Sequence, residues 1–349
     1  MTLASDASLK VALSRWENGH QIPDGTNRRL LADALGVPVA DLGFDDPAPQ
    51  PFAPKRLVGP DLVAYYESAF RLHVTADQVV GPADVRPVVM AQVKALEEAR
   101  RSASGATAQR LLRASARYLE LAGWLAQDSG DLKLAERLTA RSGDQANVLG
   151  DDDFATYVTV RRAAIVSDAG RAQDALDLAQ LAQRRAVGLP GATRALAGRQ
   201  VALAAAQVED TAATARAIDQ ALAAVREPTP ADHPGHYCSP SYVHMEAAQA
   251  LRVLGRSPDA IEHLVAALDA WPYHQERDQA LCLARLADTH ACLDAVDEAC
   301  NAATASMAIH AAAPSARTAR TLRRVRNRLS THRRDPSVQP LLLRLAAVG

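Results

Sequence analysis

From residue 61 onward apolar residues recur at helical spacing, and no run shows the period of two that a half-buried strand requires, so the chain is predicted to be all-α. The strongest order in the pattern is a recurrence. In "LAQDSGDLKLAERL", "IVSDAGRAQDALDL", "AAQVEDTAATARAI", "ALRVLGRSPDAIEHL" and "THACLDAVDEACNA" a helix ending, a tight turn and a new helix follow one another. An Ala stands five residues past each turn position: Gly130 to Ala135, Gly170 to Ala175, Asp210 to Ala215, Gly255 to Ala260 and Asp294 to Ala299. The turn positions lie 40, 40, 45 and 39 residues apart. A two-helix unit has too little core to stand alone, so such units stack, and small residues let the helices approach. Gly123, Ala163, Ala248 and Ala287, each seven before the turn residue, supply that closeness.

With these turn, Ala and small positions, residues 117–310 resemble tetratricopeptide repeats. The period exceeds the usual ~34 residues, so the helices are longer or the loops expanded. The resemblance implies antiparallel helix pairs whose first helices line a concave groove. Positions thirteen, ten, six and three before the turn residue would point into it. Counting back selects Arg117, Glu120, Trp124 and Gln127; then Tyr157, Val160, Ala164 and Ser167; then Ala197, Gln200, Ala204 and Gln207; then Tyr242, Met245, Gln249 and Arg252. The effector-binding candidates among them are Arg117, Glu120, Trp124, Gln127, Tyr157, Gln200, Tyr242, Met245, Gln249 and Arg252. Aromatic anchors beside amide and guanidinium donors suit an extended peptide. Trp124→Ala and Arg252→Ala are expected to abolish effector binding with little change in melting.

Residues 8–43 read as short helices separated by "NGHQIPDG" and "GVP", with Ser8 and Asn27 as caps. Pro at 47, 49, 51, 54 and 60 makes residues 45–60 a stiff linker. Thus the expected division is a first domain over 1–44, the linker, and a repeat domain over 61–349. In the first domain "LSRWENG", Pro23 and "LLADALGVPVADLGF" resemble the second half of the XRE type, or lambda-repressor and Cro type, of helix-turn-helix domain. The resemblance implies that Lys10, Val11 and Arg15 face base edges with Ser14 beside them, and that Asn18 and His20 meet phosphate. Leu13, Trp16, Leu30, Leu31, Ala34, Leu35, Val37 and Leu42 would form the small core. The family's domain has two further helices before this one, whereas seven residues precede Ser8. Met1 is therefore expected to be an internal start, or the domain to have decayed. An apolar face at Leu9, Leu13 and Trp16 would then be left open. Lys10, Arg15, Arg28 and Arg29 are also outnumbered by Asp6, Glu17, Asp24, Asp33 and Asp41, so binding to double-stranded DNA is expected to be weak or absent in this chain.

The remaining chemistry narrows the function. Net charge is -1, so any nucleic-acid contact must be local. Hydrophobic residues make up 48% but aromatic ones only 4%, which suits close packing of small and aliphatic side chains. Lys occurs only at 10, 55, 94 and 133, an Arg bias that lowers the weight of any Arg cluster. "RTARTLRRVRNRLSTHRR" holds eight Arg without an acid, yet Leu322, Val325 and Leu329 give it an inward stripe, so it reads as a solvated capping helix. "HPGHYC", residues 233–238, offers two imidazoles and a thiol without an evident fourth ligand and reads as a Pro-rich loop rather than a zinc site. Cys282, Cys292 and Cys300 read as core thiols on helices. No spanning segment, signal peptide, nucleotide-binding or catalytic motif stands out, and no metal or other cofactor is expected. The sequence thus reads as a cytoplasmic, homodimeric transcriptional regulator, not an enzyme. Its repeat domain would receive a peptide, small-molecule or protein effector and control dimer geometry. The alternative is a repeat scaffold that no longer touches DNA.

Overall fold

The structure, a computed structural model, describes residues 6–43, 58–230, 232–272, 275–336 and 338–347. No strand occurs among them. The chain divides into two compact units, Met1–Arg56 and Leu57–Gly349. Most of the expected linker, residues 45–57, lies outside the described residues.

The first unit holds α1 (Asp6–Glu17), α2 (Gly25–Leu35) and a 3-10 turn, Val39–Leu42. Gly19 takes the left-handed conformation after α1, and Asn18 Nδ2 donates to the Ser14 carbonyl at 2.7 Å. Asp24, not Asn27, caps α2, its Oδ1 accepting the amides of Thr26 and Asn27 at 3.1 and 2.9 Å. The expected core is corrected here. Leu13, Trp16, Leu31 and Leu42 are only half-buried, and Leu30, Ala34, Leu35 and Val37 are exposed. A segment of two short helices has too little length to enclose them. Leu9 is exposed as expected, but the bulk of the open apolar surface is on and around α2, at Ile22, Leu30 and Leu35, rather than at Leu13 and Trp16.

The second unit begins with α3 (Pro60–Val80) and α4 (Pro82–Arg101), whose opening prolines, Pro60 and Pro82, stand in the first turn, where the missing N–H costs nothing; α4 carries a further proline, Pro87, in its interior. Five helix pairs follow: α5 (Gly105–Asp128) with α6 (Leu132–Leu149), α7 (Asp152–Asp168) with α8 (Ala172–Arg185), α9 (Gly191–Gln207) with α10 (Thr211–Ala224), α11 (Pro240–Val253) with α12 (Ser257–Asp269), and α13 (Glu276–Cys292) with α14 (Val296–Ala312). Then come α15 (Ala316–Leu329) and α16 (Gln339–Ala346). Within each pair the two helices pack together; α7 meets α9, α9 meets α11, α11 meets α13 and α13 meets α15, so these first helices form a common layer.

The turns explain the repeat. Gly130, Gly170 and Gly255 adopt positive φ, a conformation that L side chains resist. In the third and fifth turns Glu209 (φ 65°) and Asp294 (φ 62°) do the same. The third turn residue is therefore Glu209 and not Asp210, which instead caps α10 by accepting the Ala213 amide. With this register the turns lie at 130, 170, 209, 255 and 294, the close-packed position of the third repeat is Ala202, and the position five past its turn is Thr214. Ala135, Ala175, Thr214, Ala260 and Ala299 are all fully buried. At Gly123 a Cβ would fall 2.3 Å from Thr139 Oγ1, which shows how closely α5 lies on α6.

The long interval after Glu209 is filled by the loop before α11, which is tied down rather than plain. His233 Nδ1 accepts the Gly235 amide at 2.9 Å, so its Nε2 carries the proton, and Nε2 lies 2.9 Å from Asp153 Oδ2 and 3.2 Å from Thr193 Oγ1. Cys238 is buried, Cys292 is exposed rather than core, and no cluster of three or more metal-ligating side chains occurs among the described residues. No described helix is long and apolar enough to cross a membrane.

Candidate functional site

The first helices present one continuous polar layer inside the second unit. There the guanidiniums of Arg161, Arg199, Arg252, Arg277, Arg285, Arg317, Arg324 and Arg328 meet the carboxylates of Asp77, Glu120, Asp128, Glu246, Asp278 and Asp288. Each carboxylate is held by an arginine from a different helix, so the layer is a ladder of ion pairs running across the stack. Arg161 Nε of α7 donates to Glu120 Oε1 of α5 at 3.0 Å, and its Nη2 donates to Gln127 Oε1 at 2.7 Å. Glu246 of α11 accepts from Arg285 of α13 at 2.8 Å and lies 3.5 Å from Arg199 of α9. Asp288 of α13 receives Arg252 of α11 and, from α15, Arg324 and Arg328.

The ladder also joins the two ends of this unit. Arg277 of α13 lies 2.9 Å from Asp77 Oδ2 of α3 and pairs with Asp128 at the end of α5. Arg317 of α15 pairs with Asp128 at 3.3 Å and with Asp278 at 3.0 Å. Trp124 stands at this junction. Its Nε1 donates to Asp77 Oδ2 at 3.1 Å, and its ring is flanked by two guanidinium carbons, Arg317 at 4.5 Å and Arg161 at 4.9 Å from the centroid. Desolvated cation–π contacts of this kind contribute about 2 kcal/mol or more.

Burial and the facing guanidiniums together set how the charges titrate. Desolvation pushes the Glu120 carboxyl above the ordinary range, although Arg161 pulls it back, and Asp77 shifts up for the same reason against Arg277. For Glu246 desolvation is overcome by the guanidiniums of Arg285 and Arg199, which hold it below that range. Burial pushes the Tyr157 and Tyr242 hydroxyls up, and the Tyr157 hydroxyl donates to Glu120.

The expected groove residues distribute as follows. Glu120, Trp124, Gln127, Tyr157, Gln200, Tyr242 and Arg252 all join the ladder or its lining. Tyr157 donates to Glu120 at 3.3 Å; Tyr242 lies under the Arg199 guanidinium at 5.7 Å; Gln200 accepts from Arg199 at 2.8 Å. Arg117 and Gln249 are half-buried and bond to no described side chain. Met245 is fully buried in the apolar core and contributes only its carbonyl, which accepts from Arg285. Gln200 was reached by counting from Asp210; from Glu209 the position ten back is Arg199, the residue that carries the charge. The expected count passed over Arg161, Glu246 and Arg285, each nine before its turn residue. It also passed over Tyr237, which the folded-back loop brings near Tyr157, Arg161 and Arg199.

In the first unit Lys10, Val11, Ser14 and Arg15 are exposed on α1, with Asn18 and His20 exposed just beyond it. Asn18 is engaged with the end of its own helix through Ser14.

No known family model matches the chain, and no curated protein matches it. Among solved structures, a Rap protein complexed with competence and sporulation factor shares 12% identity over 83% of this chain and 87% of that chain, with a TM-score of 0.55. The likeness is one of fold. BtubC (BKLC) from P. vanneervenii shares 18% identity over 64% of this chain and 90% of that chain, with a TM-score of 0.46. The turn-linked helix pairs of the second unit, and its likeness in fold to the Rap protein, make that unit a tetratricopeptide-like stack.

Proposed function

We propose that this chain is a non-catalytic helical-repeat receptor that takes up an extended peptide or protein segment on the polar layer of its first helices. The observation that carries the reading is the ladder itself. A buried ion-pair network adds little stability over a well-packed apolar core, so its presence on one face of every pair is better accounted for by recognition than by folding. The Rap protein, with the same architecture over most of the chain, is complexed with a factor, which supports the reading by analogy. The test is selection of peptides on the immobilised full chain, followed by hydrogen exchange. Selected peptides are expected to slow exchange in α7, α9 and α11. Protection confined to the second helices of the pairs would remove the reading.

A second role, contact with double-stranded DNA in a transcriptional regulator, is favoured by one feature: Lys10, Val11, Ser14 and Arg15 share an exposed face of α1. On this reading Arg15→Ala costs about 1–3 kcal/mol of operator binding and relaxes specificity at one base pair. Promoter fragments that are bound equally by wild type and Arg15→Ala would count against it.

A further inference from the structure

We propose that the segment received by the inner layer is acidic, and that its carboxylates bind at Arg199 and Gln200 of α9 and at Arg277 of α13. This rests on the receptor reading above and names the chemistry of the partner.

Three observations carry it. The layer holds eight guanidiniums against six carboxylates, so a basic segment would enter a field already of its own sign. Its unsatisfied polar atoms are mostly donors: Arg199 Nε, Gln200 Nε2 and Arg277 Nε have no acceptor, while Asp77 Oδ1 is the acceptor left over. These side chains are almost wholly enclosed, Arg199 at 5%, Gln200 at 0% and Arg277 at 3% exposure, and a buried donor without an acceptor costs about 1–3 kcal/mol. A segment bearing carboxylates supplies what is lacking.

The third observation singles out the place. Glu246 is held by Arg285 at 2.8 Å but reaches Arg199 only at 3.5 Å, and the Arg199 Nη1 that faces it donates instead to Gln200 Oε1 at 2.8 Å, so the Arg199 fork is only weakly tied to a carboxylate and its Nε is left without an acceptor. An incoming carboxylate can engage its Nε and Nη together, the bidentate geometry that arginine favours. Tyr242 lies under that guanidinium, and Tyr237 stands edge-on to Tyr242 at 5.2 Å, giving the site an aromatic floor. Because the donors are enclosed, the segment enters when the junction of Arg277 with Asp77 and Asp128 parts, and its carboxylates then replace those two at Arg277.

The experiment titrates the full chain with end-blocked, fluorescently labelled hexaglutamate, hexaglutamine and hexalysine peptides, with hydrogen exchange to locate the contact. Hexaglutamate is expected to bind in preference to the other two and to slow exchange in α9. Arg199→Gln is expected to weaken it at least about tenfold, whereas Glu246→Gln, which removes the internal competitor, is expected to strengthen it several-fold. The second variant matters because a layer that is merely structural would be damaged by both. Should Arg199→Gln fail to fold, Glu246→Gln decides alone. Absence of hexaglutamate binding, preference for hexalysine, protection confined to the outer face of α15, or weaker binding by Glu246→Gln would each overturn the proposal. A neutral or basic peptide that protects α9 overturns the acidic assignment and leaves the receptor reading standing; failure of every selected peptide to protect the first helices removes both.

Discussion

Glu120 and Glu246 sit on neighbouring rungs of one ladder and titrate in opposite directions. Glu120 is raised, by burial, so the folded chain holds its proton to higher pH than the unfolded chain does. Its contribution to stability is present at low pH and is lost as pH rises through the folded value. Glu246 is depressed by two guanidiniums; its contribution is present above the unfolded value and is lost as pH falls through the folded one. Chemical denaturation from below the ordinary carboxyl range up to pH 7 should therefore show the wild-type advantage over Glu120→Gln shrinking with pH, and the advantage over Glu246→Gln growing. Parallel slopes would mean that the two carboxyls share an environment. The sequence suggests that Trp124 is a groove residue whose loss leaves melting unchanged, but its ring packs against the α3–α6 core and beside two guanidiniums. Trp124→Ala is now expected to cost about 3–5 kcal/mol, measured by denaturant unfolding.

Among the elements, the turns carry the most information, and their legibility was uneven for a physical reason. Glycine announces positive φ in sequence; Glu209 and Asp294 occupy the same conformation without announcing it. Asp294 stands between Leu293 and Ala295, neither of them a turn residue, whereas at the third turn the helix-capping Asp210 stands beside Glu209 and offers a second candidate. Counting from Asp210 points to Gln200, and counting from Glu209 points to Arg199 and to Ala202, which completes the column of small residues seven before each turn. Glu209→Gly should relieve the left-handed strain and stabilise the chain by roughly 0.5–1 kcal/mol in thermal or chemical unfolding. Asp294→Gly should give less, since Asp294 Oδ1 also holds His332 Nε2 at 2.9 Å. The arginine-rich helix shows the same limit. Its Leu322, Val325 and Leu329 are buried as expected, but a wheel of the sequence does not tell that Arg317, and the still partly exposed Arg324 and Arg328, reach inner acids while the exposed Arg320 and Arg323 pair with none among the described residues. Helical periodicity encodes which side is apolar; it does not encode which distant carboxylate an arginine will find.

On the scale of the molecule, the ladder changes what a repeat array is. The fold was readable because it is built from local pairs, each with its own turn and its own small-residue contact. The junction of α3 and α5 with α13 and α15 was not, since Asp77 and Arg277 are separated by 200 residues and share no pattern. Breaking it should be costly: Arg277→Ala leaves buried Asp77 with the Trp124 indole N–H and, among the described residues, no cation, and leaves Asp128 with Arg317 as its remaining cation, an effect of about 3–5 kcal/mol in unfolding experiments. Hydrogen exchange should quicken in α3 and α13 together, though they lie far apart in sequence, with α8 and α10 little changed.

The tethered loop before α11 bears on cooperativity. In an open solenoid each repeat speaks only to its neighbours, stability is close to a sum of local terms, and melting frays inward from the free ends. Here His233 fastens a loop of the fourth pair to Asp153 at the start of the second and to Thr193 at the start of the third, skipping the nearest-neighbour rule. Such a cross-brace penalises any state in which one repeat has melted and the next has not. The array then behaves less like a row of beads and more like a single globule, with one sharp transition where a row of beads would show several.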